Sequence, residues 1–419
     1  MGPVTKHSAR ERDDPALASV DPQRQPVRPT SSGGLSRDQV PILGFRNYWY
    51  PAIASQSVRR KPIQVKLLGD DVALFRDSAS GKVHAFEDRC PHRGALLSHG
   101  RIYYPGTLTC AYHGWTYDIG GKLVAVLSEG PDCPVVGKVQ LRTYPVQEFR
   151  DLIWIWMGDQ QPVKLEEDLP PELGDPSNAT FMDVQLWNAN WRVITENTDG
   201  YHAPILHRRS LPRTFYMDWV AWRKTGYVET DDGKGLLLIS WNAPEVAEFP
   251  GLGKWPQSTW WERTARKIFH APLSRGTPTT LPDGRQAFVT EDIHLPGWRR
   301  VRVRHSTVFM EWAVPVDEKT TRHFLWDMIN TSGARGKLEV LKVQLKVWAF
   351  RYFIYPVYWK WAYNKQYVGQ DKRVLEGLKE GPERLQSNDI GIVAWRRLAA
   401  KSRDAESPGT QLTTHEIAT

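Results

Sequence analysis

CPHRGALLSHGRIYYPGTLTCAYH, residues 90–113, is the stretch on which the fold of this chain depends. It begins with Cys90-x-His92 and, after seventeen intervening residues, ends with Cys110-x-x-His113. The tight spacing within each pair is typical of two short loops that face each other. Thiolates and imidazoles are both ligands of transition metals. The stretch therefore predicts a metal centre with four protein ligands.

The ligand set is the one that a Rieske [2Fe–2S] cluster requires, with two cysteines on one iron and two histidines on the other. Neutral imidazoles leave such a cluster less negative than a four-cysteine cluster, so it accepts an electron more readily. A structural Cys2His2 zinc site is the alternative, but zinc fingers usually place both cysteines before both histidines. The order Cys, His, Cys, His favours a Rieske cluster held by Cys90, His92, Cys110 and His113.

The chain has three cysteines, and Cys133 is the one that the cluster does not use. One remaining cysteine cannot form an intrachain disulfide, which agrees with a reducing compartment. We interpret Cys133 as a small buried apolar side chain. The loops 90–95 and 110–113 also lack the second cysteine that clamps the loops of respiratory-complex Rieske proteins. Its absence favours the lower-potential cluster of oxygenases and ferredoxins.

Length and composition predict a multidomain protein with polar ends. The 419 residues are enough for two or three domains. Residues 1–40 and 402–419 are polar and are predicted to be disordered tails, the first without the apolar core of a secretory signal. No run approaches the about 18 apolar residues of a membrane-spanning helix. The net charge of +8 is not accompanied by a nucleic-acid motif, so we expect no binding of nucleic acid. Because no secretory signal and no spanning segment are evident, we expect a cytoplasmic protein without an integral membrane segment.

Residues 41–160 are predicted to form a small all-β domain around the cluster. Short segments rich in Val, Leu and Phe follow one another, separated by turn signals. They are QVKLLG (64–69), DVALFRD (71–77), KVHAFED (82–88), KLVAVL (122–127) and DLIWIWMGD (151–159). The proline-rich stretch from Gln160 to Asn178 is predicted to be a linker, and the domain boundary is placed there.

A second domain, residues 161–401, opens with the helix candidate NANWRVITENTDGYHAPILH (188–207). Asp199 and His202 are three residues apart, so they project from the same face of a helix. His207 follows shortly after. Two neighbouring imidazoles indicate a transition metal, with a structural histidine pair as the alternative. An electron carrier within an enzyme-sized chain needs an acceptor, which favours the metal.

The remainder of this domain combines strands with helices. Alternating or continuous apolar residues between about 214 and 330 predict a large antiparallel sheet, and residues 335–380 are predicted to be helical. The sheet segments are GLLLISW (235–241), AFVTEDIHL (287–295), VRVRHSTVFMEWAVPV (301–316) and TRHFLWDMI (321–329). The predicted fold class is therefore α+β: a small all-β Rieske domain plus a larger domain in which helices flank an antiparallel sheet.

The helical region contains an apolar stripe formed by Leu338, Leu341, Leu345, Trp348 and Tyr352. The aromatic and basic segment that follows is interrupted by a proline. We interpret it as a cover packed on the sheet, with a membrane-surface or lid role as the alternative. The sequence assigns no role to the Trp-rich segment between residues 253 and 267.

Asp371 shares a helix face with Val368, Leu375 and Leu378, which places a carboxylate in an apolar stripe. A buried aspartate must be paired or bound to a metal. A salt bridge to a core arginine is the alternative, and Asp292 and Glu376 are the other carboxylates to consider.

Two histidines and one carboxylate form the facial triad of non-haem iron enzymes, which leaves positions open for O2 and substrate. We assign His202, His207 and Asp371 to a mononuclear Fe(II). The Rieske cluster would then supply electrons to this iron.

Several motifs resemble those of the Rieske ring-hydroxylating oxygenases: CPHRGALLS, CAYHGWTYD and ENTDGYHAPILH. The likeness extends over residues from about 43 to about 400. Within that family, LGFRNYWYP, KLLGD, LRTYPVQE, MEWAVPVDEKT and DIGIVAWRRLAA are similar to the carbazole angular dioxygenase type. The resemblance implies a terminal oxygenase α component with a Rieske domain and a catalytic domain. It also implies homotrimers and electrons from NAD(P)H through a reductase and usually a ferredoxin.

The resemblance also gives Asp199 a role. In the family, the matching aspartate lies behind an iron-binding histidine and reaches a cluster-ligating histidine of the neighbouring subunit. The matching histidine here is His113 or His92, with His113 favoured. Two features depart from the carbazole type: the spacing between His202 and His207 is longer by one residue, and the aromatic segment 348–363 has no evident counterpart. The identity of the substrate stays open.

The expected function is insertion of O2-derived oxygen into a hydrophobic, aromatic or polycyclic substrate, by dioxygenation or monohydroxylation. An O- or N-demethylase of the same family would use the same metals. From another class, a Rieske-type electron carrier would need no triad and would leave residues 180–400 unexplained. A structural subunit would not need the complete set of ligands.

Asp199→Asn tests the bridging role. The substitution keeps the shape of the side chain but removes its charge, so we expect both metal centres and the trimer to persist while product formation is nearly abolished. The measurement is rapid-mixing spectroscopy of the pre-reduced cluster, whose band should fail to reoxidise when substrate and O2 are added. Reoxidation at the wild-type rate would remove Asp199 from the electron path.

Overall fold

The computed structural model describes residues 36–197, 202–207, 223–242, 248–249, 253–254, 260, 264, 277–281, 284–304, 307–329, 331, 336–379, 381–385 and 389–403. They belong to two compact units. The small unit contains residues 41–170, 314–321 and 403, and the large unit contains 36–40, 171–313 and 322–402, each within the described ranges. Asp199, both predicted tails beyond these ranges and most of the Trp-rich segment lie outside the described residues. The predictions about them stay predictions.

The small unit consists of three antiparallel sheets with the orders β1-β10-β9, β2-β3-β4-β8 and β5-β6-β7. Single-turn 3-10 helices lie at Ser55–Ser57, Leu97–His99 and Leu165–Glu167. The strands are β1 Tyr48–Ala54, β2 Ile63–Leu67, β3 Asp70–Arg76, β4 Val83–Glu87, β5 Thr107–Thr109, β6 Trp115–Asp118, β7 Leu123–Val126, β8 Thr143–Tyr144, β9 Val146–Phe149 and β10 Leu152–Met157.

Strand β10 forms the centre of this unit, because every residue of its sequence LIWIWM is buried. A strand covered on both faces needs a continuous apolar run rather than an alternating one, and this run was visible in the sequence. β10 lies between β1 and β9, with Trp156 opposite Trp49 in the register. The two indole rings meet edge to face with centroids 5.7 Å apart, which adds a directional contact to the burial.

The described part of the large unit contains an eight-stranded sheet with the order β11-β20-β19-β18-β17-β13-β12, in which β16 also pairs with β17. The pairs from β12 to β19 are antiparallel. A short pair, β14 with β15, lies apart from this sheet. The strands are β11 Ala179–Trp187, β12 Arg223–Glu229, β13 Gly235–Asn242, β14 Glu248–Phe249, β15 Gly253–Lys254, β16 Thr277–Thr280, β17 Gln286–His294, β18 Trp298–Arg304, β19 Thr307–Pro315 and β20 Thr321–Ile329.

The helices whose bounds are described in the large unit are α1 Pro171–Gly174, α2 Trp191–Thr195, α3 Ala203–Leu206, α4 Lys337–Ala349, α5 Val368–Glu376 and α6 Ile390–Ala399, with a 3-10 turn at Arg37–Gln39. A π-helical segment, Phe350–Tyr367, joins α4 directly to α5. Helical structure therefore continues from Lys337 to Glu376. The predicted α+β fold class is confirmed.

Three predictions about elements need correction. The single helix expected over 188–207 is instead two short helices, α2 and α3. The segment 301–316, predicted as one sheet segment, contains the end of β18 and all of β19, which pair antiparallel. Between the two strands the sequence reads His305-Ser306 and has no Gly, Pro, Asn or Asp to signal a turn. Strand β11 was not predicted, because its sequence follows the proline-rich linker without clear alternation.

Among the described residues, no helix is both long enough and apolar enough to cross a membrane.

His323 on β20 links the stability of the large unit to pH. The side chain is 1% exposed, and its ring packs edge to face against Trp187 at 4.5 Å. Burial lowers the pKa of His323 to about 4, although Glu311 acts in the opposite direction. The imidazole therefore stays neutral in the fold at a pH where the unfolded chain takes up a proton, so stability falls as the pH falls from about 6.5 towards 4.

We expect His323→Gln to reduce this acid sensitivity, because glutamine takes up no proton in either state. The full contribution of His323 to the pH dependence of the free energy of unfolding is on the order of 3 kcal/mol. Thermal unfolding at pH 7.5 and pH 5 measures it, with the surface substitution His99→Gln as the control. An equal loss of melting temperature in the wild type and in His323→Gln would contradict the assignment.

Candidate metal centres

The two cysteine loops of the small unit are built on the same hydrogen-bond pattern. The N–H of Cys90 donates to the carbonyl of Ala95 at 2.8 Å, and the N–H of Cys110 donates to the carbonyl of Trp115 at 2.8 Å. In each loop, a glycine four residues after the cysteine donates back to the cysteine carbonyl. These glycines, Gly94 and Gly114, have φ of +77° and +66°, a conformation that residues with a Cβ rarely adopt. The sequence therefore folds each short motif into one defined turn.

The loops place sulfur inside and imidazole outside. Cys90 and Cys110 are buried among apolar side chains of the small unit, whereas His92 is exposed and His113 is half-buried. The two imidazole rings meet edge to face, with centroids 4.6 Å apart, and His92 stacks on Trp115 at 4.9 Å. This arrangement offers a sulfur pair to an inner metal and a nitrogen pair to an outer one.

The two cysteine sulfurs differ: the surroundings of Cys110 favour negative charge, whereas the pKa of Cys90 is raised because its thiol donates a hydrogen bond to Cys110 and because it is buried. The pKa of Cys110 is lowered, first because the Cys90 thiol donates a hydrogen bond to it and then because backbone N–H groups of Tyr112 and His113 also donate. The Tyr117 hydroxyl lies 3.3 Å from the Cys90 sulfur. Among the described residues, Nδ1 of His113 is buried without a hydrogen-bond partner. Both observations fit a metal cluster held between the loops.

The third cysteine takes no part in this centre. Cys133 is free and buried, and its thiol donates to Glu129 at 3.0 Å. Cys90 and Cys110 are also free. The chain therefore has no disulfide, as its three cysteines predicted.

In the large unit, His202 and His207 flank the single turn of α3. The N–H groups of Ile205 and Leu206 both donate to the carbonyl of His202, which closes the turn. Upstream, the Asn190 side chain accepts from the N–H of Arg192 and caps α2. Asp371 arrives from α5, far away in the sequence.

These three side chains meet at one point. Nε2 of His202 lies 3.1 Å and Nε2 of His207 lies 3.4 Å from Oδ1 of Asp371. Among the described residues, they form the one group of three such donors whose ligand atoms all lie within 4.8 Å of one another. Neighbouring donors on an octahedral ion lie about 3 Å apart when metal–ligand bonds are about 2.1 Å. The donor set therefore fits a mononuclear Fe(II).

Asp371 is held as a carboxylate although it is largely buried. Burial raises its pKa, but hydrogen bonds from His202 and His207 outweigh that effect, and the pKa is lowered well below its usual range. The exposed fraction of the residue is 7%. A buried carboxylate of this kind requires compensating positive charge. A divalent cation bound by Asp371 and the two imidazoles would supply it.

Neighbouring residues fix the orientation of the three donors. Gln370 Oε1 lies 2.9 Å from Nδ1 of His207, so Nδ1 can donate and leave the Nε2 lone pair for a metal. Tyr367 stacks on the same ring at 3.7 Å. The Asn197 side chain donates to Oδ1 of Asp371 at 3.3 Å. Arg299 of β18 donates to the carbonyl of Asn197 and so anchors this loop to the sheet.

Sequence reasoning did not identify these supporting residues. Asn197 lies inside the motif ENTDGYH and Gln370 directly precedes Asp371, so position alone could have suggested both. Arg299 and Tyr367 carry no such signal, because their contacts depend on the tertiary fold.

The other carboxylates considered for the iron have different partners. Asp292 accepts from Nε of Arg300 at 2.7 Å, inside the sheet. Glu376 accepts from the N–H of Asn188 at 2.8 Å. Neither belongs to the three-donor group. Asp371 is the carboxylate that the structure places beside both histidines.

Comparisons with known proteins show the family to which the chain belongs. Residues 48–145 match the Rieske [2Fe-2S] domain family. The chain is 41% identical over 172 residues to the carbazole 1,9a-dioxygenase terminal oxygenase component of Sphingomonas sp., an alignment that covers 40% of this chain and 45% of that relative. It is 32% identical over 383 residues to the tert-butanol monooxygenase / tert-amyl alcohol desaturase oxygenase subunit of Aquincola tertiaricarbonis, covering 87% of this chain and 74% of the relative.

A solved structure shows the same fold over both units. It is a fluorene-bound oxygenase variant in a ferredoxin complex of carbazole 1,9a-dioxygenase, with a TM-score of 0.65 and 25% identity. The match covers 87% of this chain and 93% of the solved one. The chain therefore belongs to the Rieske non-haem iron oxygenases and is a terminal oxygenase component of that family. A Rieske cluster and non-haem iron are the cofactors of this family.

Asp371→Ala tests the carboxylate. Without Oδ1 only two imidazoles remain, so we expect the variant to lose the mononuclear iron, about one of three irons per chain, while the visible spectrum of the cluster is unchanged. Iron analysis together with absorption spectroscopy measures both. Glu376→Gln, on the same helix, is the matched control and should keep all the iron. Full iron occupancy in Asp371→Ala would show that Asp371 is not an iron ligand and would favour the alternative of a structural ion pair.

Proposed function

We propose that this chain uses a Rieske cluster on Cys90, His92, Cys110 and His113 to reduce a mononuclear iron held by His202, His207 and Asp371. Iron held there would activate O2, and the reaction would insert oxygen into a hydrophobic, aromatic or polycyclic substrate by dioxygenation or monohydroxylation. The observation that carries the proposal is the convergence of the two Nε2 atoms and Oδ1 at 3.1 and 3.4 Å.

The residues around the triad orient its side chains and limit the access of water. Gln370 and Asn197 hold His207 and Asp371 in orientation through the hydrogen bonds described above. Burial of His207, which is fully enclosed, keeps water from one side of the site. When bound, ferrous iron with three protein ligands offers open positions at which O2 is reduced beside the substrate.

The aromatic side chains beside the triad support a hydrophobic substrate. Tyr367, stacked on His207, is followed by Tyr363 at 5.1 Å, and Phe309 meets Tyr363 at 4.9 Å. Rings of this kind favour apolar, flat ligands over charged ones. The names of the relatives point the same way, since carbazole and fluorene are both polycyclic.

Electron delivery requires partners. A cluster whose histidines lie at the surface of the small unit is accessible to a protein donor, and we propose that a ferredoxin or reductase supplies electrons from NAD(P)H. The solved relative in a ferredoxin complex supports this partner. We further propose a homotrimer in which Asp199 links His202 to a cluster histidine, His113, of the neighbouring subunit.

Monooxygenation is the second candidate. The relative from Aquincola tertiaricarbonis is named a monooxygenase, and it aligns with more of this chain than the Sphingomonas carbazole enzyme does. An O- or N-demethylase would carry out the same single-oxygen insertion at a methyl carbon. All three reactions use the same two metal centres, so the triad alone does not separate them.

Product analysis under 18O2 tests the proposal. The reduced holoenzyme, with a surrogate ferredoxin and reductase, is given carbazole, tert-butanol or a methoxylated benzene. We expect an oxygenated product from the polycyclic compound, carrying two 18O atoms for dioxygenation or one for monohydroxylation. Formaldehyde from the methoxy compound would identify a demethylase instead.

Asp371→Ala is the control and should give no 18O product. NAD(P)H consumption without 18O in any product, equal in the wild type and the variant, would contradict oxygenase activity.

A further inference from the structure

The helix α4 has a large apolar face directed at solvent. Its members are Leu338, Leu341, Leu345, Trp348 and, at the start of the π segment, Tyr352, and each is between 51% and 66% exposed. We call these five residues the outer face. No residue of α4 is buried. The apolar stripe that the periodicity of the sequence predicted therefore lies on the surface of the chain.

The attachment of α4 to the large unit uses its opposite side. Val343 and Val347 are half-buried, and Val347 packs against the core cluster that contains Phe181, Ile329 and Phe350. The helix therefore has apolar residues on two sides, and it packs on the large unit through the narrower of these two sides. Most of the stability of a helix this short comes from packing of its apolar residues. A contiguous exposed face of this size marks an interaction surface.

The π segment extends the outer face with further apolar side chains. Phe353 lies 5.2 Å from Trp348 between ring centroids. Ile354, Val357 and Trp361 are also exposed. The extended surface is rich in aromatic side chains, and two of these types, tryptophan and tyrosine, are the residues that membrane proteins place at the boundary between lipid and water.

The charge around this surface has one dominant sign. Residues 337–367 contain six lysines and arginines but a single acidic residue, Glu339, whereas the whole chain has 55 basic and 47 acidic residues. Lys342 and Lys346 lie one turn apart beside the outer face, and both are exposed. The surface therefore combines an apolar centre with a basic margin.

We propose that the outer face and its aromatic extension dock on the surface of an anionic phospholipid bilayer. An interfacial helix buries its apolar side at the level of the headgroups while lysines at its margin meet lipid phosphates. A second copy of the chain fits less well, because it would bring its own basic margin and its net charge of +8 against the same surface.

Docking at this place would bring the iron site close to the lipid. The π segment continues without a break into α5, which carries Asp371, and its Tyr367 stacks on His207. If the proposed function holds, hydrophobic substrates that partition into lipid would reach the triad from the membrane. The docking itself is measured without turnover, so it can fail or succeed independently of the oxygenase reaction.

Vesicle flotation of the intact holoenzyme tests the proposal. Two vesicle types are compared, phosphatidylcholine alone and phosphatidylcholine with about 30% phosphatidylglycerol, a composition that resembles an anionic leaflet. We expect binding to the anionic vesicles to exceed binding to the neutral ones by at least about tenfold, and to weaken at high salt because the basic margin is screened. Equal binding to both, or binding to neither, would overturn the proposal.

Substitutions on the surface separate lipid docking from self-association. The triple variant Leu341→Gln, Leu345→Gln and Trp348→Gln should lose vesicle binding, and Lys342→Glu should weaken it. The matched control replaces Val184 and Leu186 by glutamine, two residues that are exposed on β11 of the same unit, and should bind like the wild type.

Sedimentation measures the oligomeric state of the same proteins. We expect it to be unchanged in the triple variant. If the variant dissociates into smaller species, the outer face is an interface between copies and the membrane proposal is wrong. Unchanged vesicle binding by the triple variant would also refute it.

Discussion

The contact between the buried Asp371 carboxylate and the imidazoles of His202 and His207 is the interaction on which the site of the large unit depends. Asp371 is held ionised in a place where an uncompensated charge would be costly, so the fold must deliver positive charge to it. The sheet provides Arg299, which anchors the loop carrying Asn197, and α3 sets the two histidines. Helix α5 brings the carboxylate itself. Each element contributes one part of a site that none of them could form alone.

The small unit repeats one loop structure at its two cysteine motifs. Two loops of nearly identical hydrogen bonding, each closed by a glycine of positive φ, present a cysteine inward and a histidine outward. The change from buried sulfur to more exposed imidazole rings would suit a cluster that receives electrons from a donor at the surface, as the proposed function requires. The inner sulfurs are enclosed by the apolar core and by the Tyr117 hydroxyl.

Much of this could be predicted from local sequence. The spacing of Cys90, His92, Cys110 and His113 predicts a Rieske cluster, and the apolar run of β10 predicts a central strand. Asp371 was also recognisable, as a carboxylate inside an apolar helical stripe. What could not be predicted depends on tertiary contacts: the role of Arg299, the break of 188–207 into two helices, and the exposure of Leu341 and Trp348. Periodicity shows that such residues share a face, but it does not show what covers that face.

The number and kind of irons per chain tests most directly whether the two centres coexist. Mössbauer spectroscopy of 57Fe-loaded protein distinguishes cluster iron from an isolated ferrous ion. Two cluster irons with nitrogen ligation on one of them, together with one high-spin ferrous ion, is the predicted result, in a ratio of about two to one. Cluster iron alone, or zinc at the four-ligand loops, would contradict it.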